Sequence, residues 1–220
     1  MKYWKQLILF LLIILLGGCQ VDNEDQTKKP SEMNPDELPG VRAFEDEFTR
    51  QFLQSTEETR PGYYPFLSGT GKYEMDFPKD GAVGEQGYAL KDKDYEGIFI
   101  GVDAGEIHSA IRLNYYSTDG KGREDLKLDM INDRVNQELE YDKFTSENST
   151  LYLSYFETEM YYGYAGFLQN ETENGGIEII YQSECVASKE KCETIKAESI
   201  DVMREQIVSI QFITKSSERE

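Results

Sequence analysis

Hydrophobic positions along the chain follow two periods. Val41, Phe44, Phe48 and Phe52 recur at spacings of three and four with Glu45, Asp46, Glu47 and Arg50 between them, which predicts an amphipathic helix. The same spacing places Leu128, Ile131, Val135 and Leu139 on one face of a middle helix over residues 124–139. A closing helix over 189–209 carries Cys192, Ile195, Ser199, Met203, Ile207 and Ile210 near one face. Between these segments the period drops to two, predicting strands over 73–78, 87–90, 97–102 and 109–116, then 150–156, 161–168 and 177–182. Asp80-Gly81 reads as a turn, and Asn174-Gly175-Gly176 as a hairpin connection. Sequential strands with short links predict an antiparallel meander. The fold class expected is therefore α+β, an antiparallel β-sheet meander with N-terminal, middle and C-terminal amphipathic helices packed on it.

A further apolar stretch, Leu7 to Leu16, follows Lys2 and Lys5 and precedes Gly17 and Gly18. This is a secretory leader in outline, and it falls short of the roughly 20 apolar residues of a membrane-spanning helix. Leu16-Gly17-Gly18-Cys19 resembles the lipobox of bacterial lipoproteins. The resemblance implies a diacylglyceryl group on the Cys19 thiol, cleavage before it, and an N-terminal palmitate-type anchor; each buried methylene contributes ~0.8 kcal/mol. Residues 20–40 are polar, acidic and broken by Pro30, Pro35 and Pro39, with nothing to build a core. The organisation expected is a signal peptide over 1–18, lipidated Cys19 and a disordered acidic tether over 19–40, and a single globular extracytoplasmic domain over 41–220. The localisation expected is the cell membrane, lipid-anchored and facing outside the cytoplasm.

Charge narrows the range of partners. Twenty-three basic residues against 42 acidic ones give −19, more negative still once a leader holding Lys2 and Lys5 is removed. Phosphate recognition needs a basic patch, so a nucleic-acid partner is not expected, nor is contact with an anionic lipid surface beyond the anchor. At 39% hydrophobic, with 15 Tyr and 11 Phe, the chain is still able to build one core. With Cys19 lipidated, Cys185 and Cys192 remain as an even pair in an exported domain, and a disulfide is expected between them.

Gly71-x-Tyr73-x-x-x-Phe77-Pro78-x-x-Gly81, a strand meander, and a closing helix that ends Gln206 to Phe212 together resemble the PsbP-like α/β/α sandwich, found also in small bacterial lipoproteins. The resemblance implies a binding or accessory domain without catalysis.

Candidate catalytic patterns are poor. His108 is the sole histidine, and no Gly-x-Ser-x-Gly elbow surrounds any serine. Ser188-Lys-Glu-Lys191 lacks the companion motifs of penicillin-recognising enzymes and reads as a helix cap. Asp92 to Asp103 imitates the oxygen spacing of a calcium loop, but its flanks read as strands and its last position is not Glu. Gly69-Thr70-Gly71-Lys72 reads as a turn, and Glu157 and Glu159 as chance neighbours in an acidic chain. No catalytic residue, metal or cofactor is assigned. The tyrosine-rich strands are the more suggestive surface, with Tyr152, Tyr161 and Tyr164 as candidate partner-binding residues. The function expected is that of a membrane-anchored, non-catalytic protein- or peptide-binding accessory domain at the cell surface. The alternatives are an envelope hydrolase and a small-ligand or cation-binding module.

Overall fold

A computed structural model describes residues 28–118 and 121–213. The expected leader, the lipobox with Cys19 and the first part of the tether lie outside the described residues. The tether expectation ends early: Pro30–Glu32 and Pro35–Glu37 form single 3-10 turns, Pro30 is buried, and Leu38 packs on the core. Prolines at the first position of each turn pre-set the backbone that these turns need.

The architecture corrects the fold class. Eleven strands in two antiparallel sheets dominate the described residues, so the fold is mostly β and not an α+β meander carrying three amphipathic helices. The N-terminal helix is absent as such. In its place stand two single turns, α1 (Arg42–Glu45) and α2 (Glu47–Arg50), separated at Asp46, whose backbone is extended. The Asp46 carboxylate accepts from the Thr49 amide at 2.7 Å and from its hydroxyl at 2.6 Å. A short acidic side chain that caps the backbone in this way competes with helix continuation. The helical spacing of Phe44, Phe48 and Phe52 instead feeds an aromatic cluster with Tyr64, Phe66 and Tyr88.

The smaller sheet has the order β1 (Tyr63–Leu67), β2 (Tyr73–Pro78), β11 (Gln211–Phe212). The larger one runs β3 (Gly81–Val83), β5 (Tyr95–Ala104), β6 (Ile107–Tyr116), β10 (Gly176–Cys185), β9 (Tyr162–Asn170), β8 (Ser149–Glu157), β7 (Asp142–Thr145). A short β4 (Ala89–Lys91) also pairs with β5. Among the described residues two helices exceed one turn, α3 (Glu124–Val135) and α4 (Lys189–Val208).

Alternation along the long strands assigns each residue a face. Ile98, Ile100, Ile111, Leu113, Ile177 and Ile179 point to the inner face, where the smaller sheet, α1, α2 and α4 close the main core. The opposite, outer face carries Phe156, Ala165, Phe167 and Ile180, covered by Leu128, Ile131 and Val135 of α3. Among the described residues Glu96 is the one carboxylate fully buried on the inner face. It accepts from the amides of Gly69 (2.8 Å) and Thr70 (3.4 Å) and so holds the turn between β1 and β2. At Gly69 a Cβ would run into the Tyr88 hydroxyl, so a side chain there would require Tyr88 to move. Gly69-Thr70-Gly71-Lys72 is thus an internal brace and not a phosphate loop.

Candidate functional site

The outer face is polar where α3 does not cover it. Register places Phe99 of β5, Arg112 of β6, Ile180 of β10 and Ala165 of β9 in one row across four strands. The adjoining row runs Gly97, Asn114, Glu178, Phe167 and Tyr152. Above this floor lies a groove of about 930 Å³. Gly87 and Ala89 wall one side, while Arg134 and Val135 of α3 and the Thr158–Tyr161 turn wall the other.

Each wall has a local cause. Asn136, at φ 54°, adopts the left-handed conformation that asparagine tolerates and stops α3. The Gln137 side-chain Nε2 then donates to the Glu157 carbonyl at 2.8 Å, tying the helix end to the turn before β9. Thr158 closes that turn, its hydroxyl accepting from the Tyr161 amide at 2.9 Å.

Lys127 and Arg134, two turns apart on α3, both reach Glu178 in the sheet, at 3.1 and 2.5 Å. Glu178 is 1% exposed, so this carboxylate is fully withdrawn from water and held by two cations. The triad anchors α3 and uses up the Arg134 charge. Arg112 differs. It is exposed on a central strand, its guanidinium lies 5.5 Å from the centroid of the Phe99 ring, and no carboxylate pairs with it among the described residues. An uncompensated guanidinium on an aromatic shelf, with Asn114 and Gln182 beside it, offers planar donors to an incoming carboxylate.

The candidate tyrosines do not form one surface. Tyr161 lines the groove, and Tyr152 lies on the same outer face but packs beside α3 with Phe167. Tyr164 points to the inner face, edge-on to Tyr155 at 5.8 Å and packed against the main core. Adjacent strand positions alternate, so a cluster of tyrosines in sequence is divided between two faces. Sequence reading missed Arg112; one signal for it was a basic residue amid the apolar alternation of residues 109–116 in so acidic a chain.

The catalytic alternatives find little geometry. His108 points to the outer face, 3.5 Å from Asp103 and 3.8 Å from Glu184, and its neighbour Ser109 points to the inner one. Contact with Lys196 holds the Glu157 carboxyl below its ordinary value, with the Tyr155 hydroxyl also donating to it at 2.9 Å. Glu159 stands exposed in the following turn. Asp92 to Asp103 runs from a tight turn into the extended strand β5, which cannot wrap a cation. Cys185 and Cys192 are joined as a disulfide, linking the end of β10 to the first turn of α4. No helix among the described residues is long and apolar enough to cross a membrane.

A β-rich domain with a polar groove, together with the resemblance of Leu16-Gly17-Gly18-Cys19 to a lipobox, points to the lipoprotein class. The comparisons agree. A family model described as "Putative lipoprotein YvcA" matches residues 39–211, and the chain belongs to this family of bacterial lipoproteins. The chain is also similar to a protein of Bacillus subtilis (strain 168) called "Putative lipoprotein YvcA", 27% identical over 235 residues that cover 95% of this chain and 96% of that one.

Proposed function

We propose that this lipoprotein is held by acyl chains on Cys19 at the outer side of the cytoplasmic membrane, and that the residues beyond the tether act as one non-catalytic binding domain. Its outer groove takes a peptide segment of a neighbouring surface protein that presents a carboxylate. Arg112 carries this reading: it is a charge without an internal partner, set among aromatic and amide groups in a groove of ligand size. In a chain of net charge −19 an acidic partner is repelled at long range. Salt screens that repulsion beyond ~8–10 Å, so the local guanidinium governs the contact itself.

The anchoring arm is tested by Cys19→Ala, which should release the protein from the membrane fraction or leave it unprocessed. For the groove, a photoreactive residue at Thr158 of the native lipoprotein on intact cells should capture one protein reproducibly. Capture should fall about tenfold with Arg112→Glu. It should be blocked by a short peptide with a free C-terminal carboxylate and not by its amide. Capture that ignores both changes would refute the carboxylate reading.

A further inference from the structure

A second cleft lies on the inner side, where the end of the smaller sheet, the larger sheet and the middle of α4 meet. Its volume is about 660 Å³, within the range of small-molecule sites. The walls are apolar: Pro61 and Tyr63 on one side, Ile107 on the sheet, and Ile195, Val202 and Met203 on the helix. The base is different. Ser109 and Ser183 are hydrogen-bonded to each other at 2.6 Å, and Ser183 also reaches the Met203 sulfur at 3.6 Å. Tyr181, 5% exposed, lies beside them.

Two features restrict the occupant. First, the base offers hydroxyls and no charge, so a ligand end buried there must be neutral and able to hydrogen-bond; a buried carboxylate or ammonium would lose its hydration without compensation. Burial keeps the Tyr181 hydroxyl protonated well beyond its ordinary range, so this neutrality holds at any physiological pH. Second, the mouth carries Asp80, Glu106 and Glu198 against Lys79, with Glu106 already paired to Lys191. That surplus of carboxylates opposes an anionic head group. Val202 meanwhile leaves 45% of its surface in water at the rim, an apolar edge that a bound molecule would cover.

We infer that this inner cleft is a ligand site, separate from the outer groove, for a neutral amphiphile whose hydroxyl or carbonyl end meets Ser109 and Ser183 and whose apolar body lies between Tyr63 and α4. The site does not depend on the peptide-binding reading, since the two clefts open on opposite faces of the larger sheet.

The test uses the full lipidated protein in phosphatidylcholine vesicles, with hexadecanol carrying a chain diazirine and a terminal alkyne as the probe. Irradiation should label peptides that contain residues 195–203 and 107–109, read by mass spectrometry. Unlabelled hexadecanol should compete, and hexadecanoate should not. Val202→Trp fills the mouth from an exposed position and should cut labelling about tenfold, while Ser109→Ala should cut it about threefold through the lost hydrogen bond. If Val202→Trp does not fold, Ile195→Trp serves the same purpose, with the far-ultraviolet dichroism of each variant checked first. Supplying the probe on cyclodextrin instead of in the bilayer separates a soluble source from a membrane one, and labelling of the cleft by either route supports the site. Labelling that is scattered over the surface, insensitive to both tryptophan variants, or equally displaced by hexadecanoate would overturn it.

Discussion

The two faces of the larger sheet solve the same problem by different means. On the inner face, isoleucine, leucine and tyrosine from five strands meet a second sheet and α4, and stability comes from removing apolar area from water. On the outer face the buried apolar cluster is much smaller, Ile131 of α3 on Phe156, Ala165, Phe167 and Ile180 of the sheet, and α3 is held in addition by Lys127 and Arg134 on Glu178. An apolar layer is tolerant, because many contacts share the load. A buried ionic anchor is not, since losing one member strands the others. The difference also sets where binding chemistry is available: outer-face positions beyond α3 stay wet and polar, and there Arg112 remains unpaired.

The largest expected effect comes from breaking the ionic anchor. Glu178→Ala removes the buried carboxylate that Lys127 and Arg134 share, and should cost about 3–5 kcal/mol. Thermal unfolding should move down by ~10 °C. Hydrogen exchange should rise first in α3, with α4 keeping its protection; equal loosening of both helices would dissolve the contrast between the faces.

The disulfide is the inner face's counterpart. Closing so short a loop between Cys185 and Cys192 contributes about 2.5 kcal/mol on the chain-entropy estimate. Replacing both by Ser should lower stability by about that amount and loosen the first turns of α4, which lead into the helix wall of the inner cleft. A melting curve that matches the unaltered protein under non-reducing conditions would argue against this role.

Glu96 gives a smaller, pH-dependent effect. Burial holds its carboxyl above the ordinary value, despite the Gly69 and Thr70 amides that favour the charged form. The folded chain therefore binds this proton more tightly than the unfolded one, so the contribution to stability is greatest at low pH. It declines above about pH 4.5, where the unfolded carboxyl ionises while the folded one keeps its proton, and levels off once the folded group has ionised too. Glu96→Gln abolishes that decline, so its melting temperature relative to the unaltered protein should improve from about pH 4 to pH 7. A difference that stays flat with pH would show that the carboxylate is fully compensated by its donors.

Arg112→Ala should change stability least, within about 0.5 kcal/mol, because the side chain is exposed and makes no ion pair among the described residues. Its effect should appear in partner capture alone. A large loss of stability would mean that Arg112 is structural and would remove the basis of the proposed groove.

The alternation of residues 97–102, 109–116 and 177–182 marked the core strands because a sheet with one buried face imposes a period of two on its sequence. Leu128, Ile131 and Val135 likewise marked the face of α3 that packs. The N-terminal segment misled because helical spacing of Phe44, Phe48 and Phe52 is equally served by two single turns folded against β3, and Asp46 decides for them by capping the second through a local bond to Thr49. Short strands such as β1, β7 and β11 left little trace, since strands this short owe their pairing to neighbours distant in sequence.

What the sequence carried by itself is the likeness to a lipoprotein and the chemistry at hand: Leu16 to Cys19 in the pattern of a lipobox, an acidic balance, and strands of alternating polarity. Those properties are local, written in runs of adjacent residues. Tertiary structure decided which side chains share a surface. It divided Tyr161 and Tyr164 between two faces, set Arg112 on a ring 13 positions away at Phe99, and joined Ser109 to Ser183 across 74 positions of chain. Such pairings follow from strand order, which depends on the summed burial of the whole sheet and on no single segment within it.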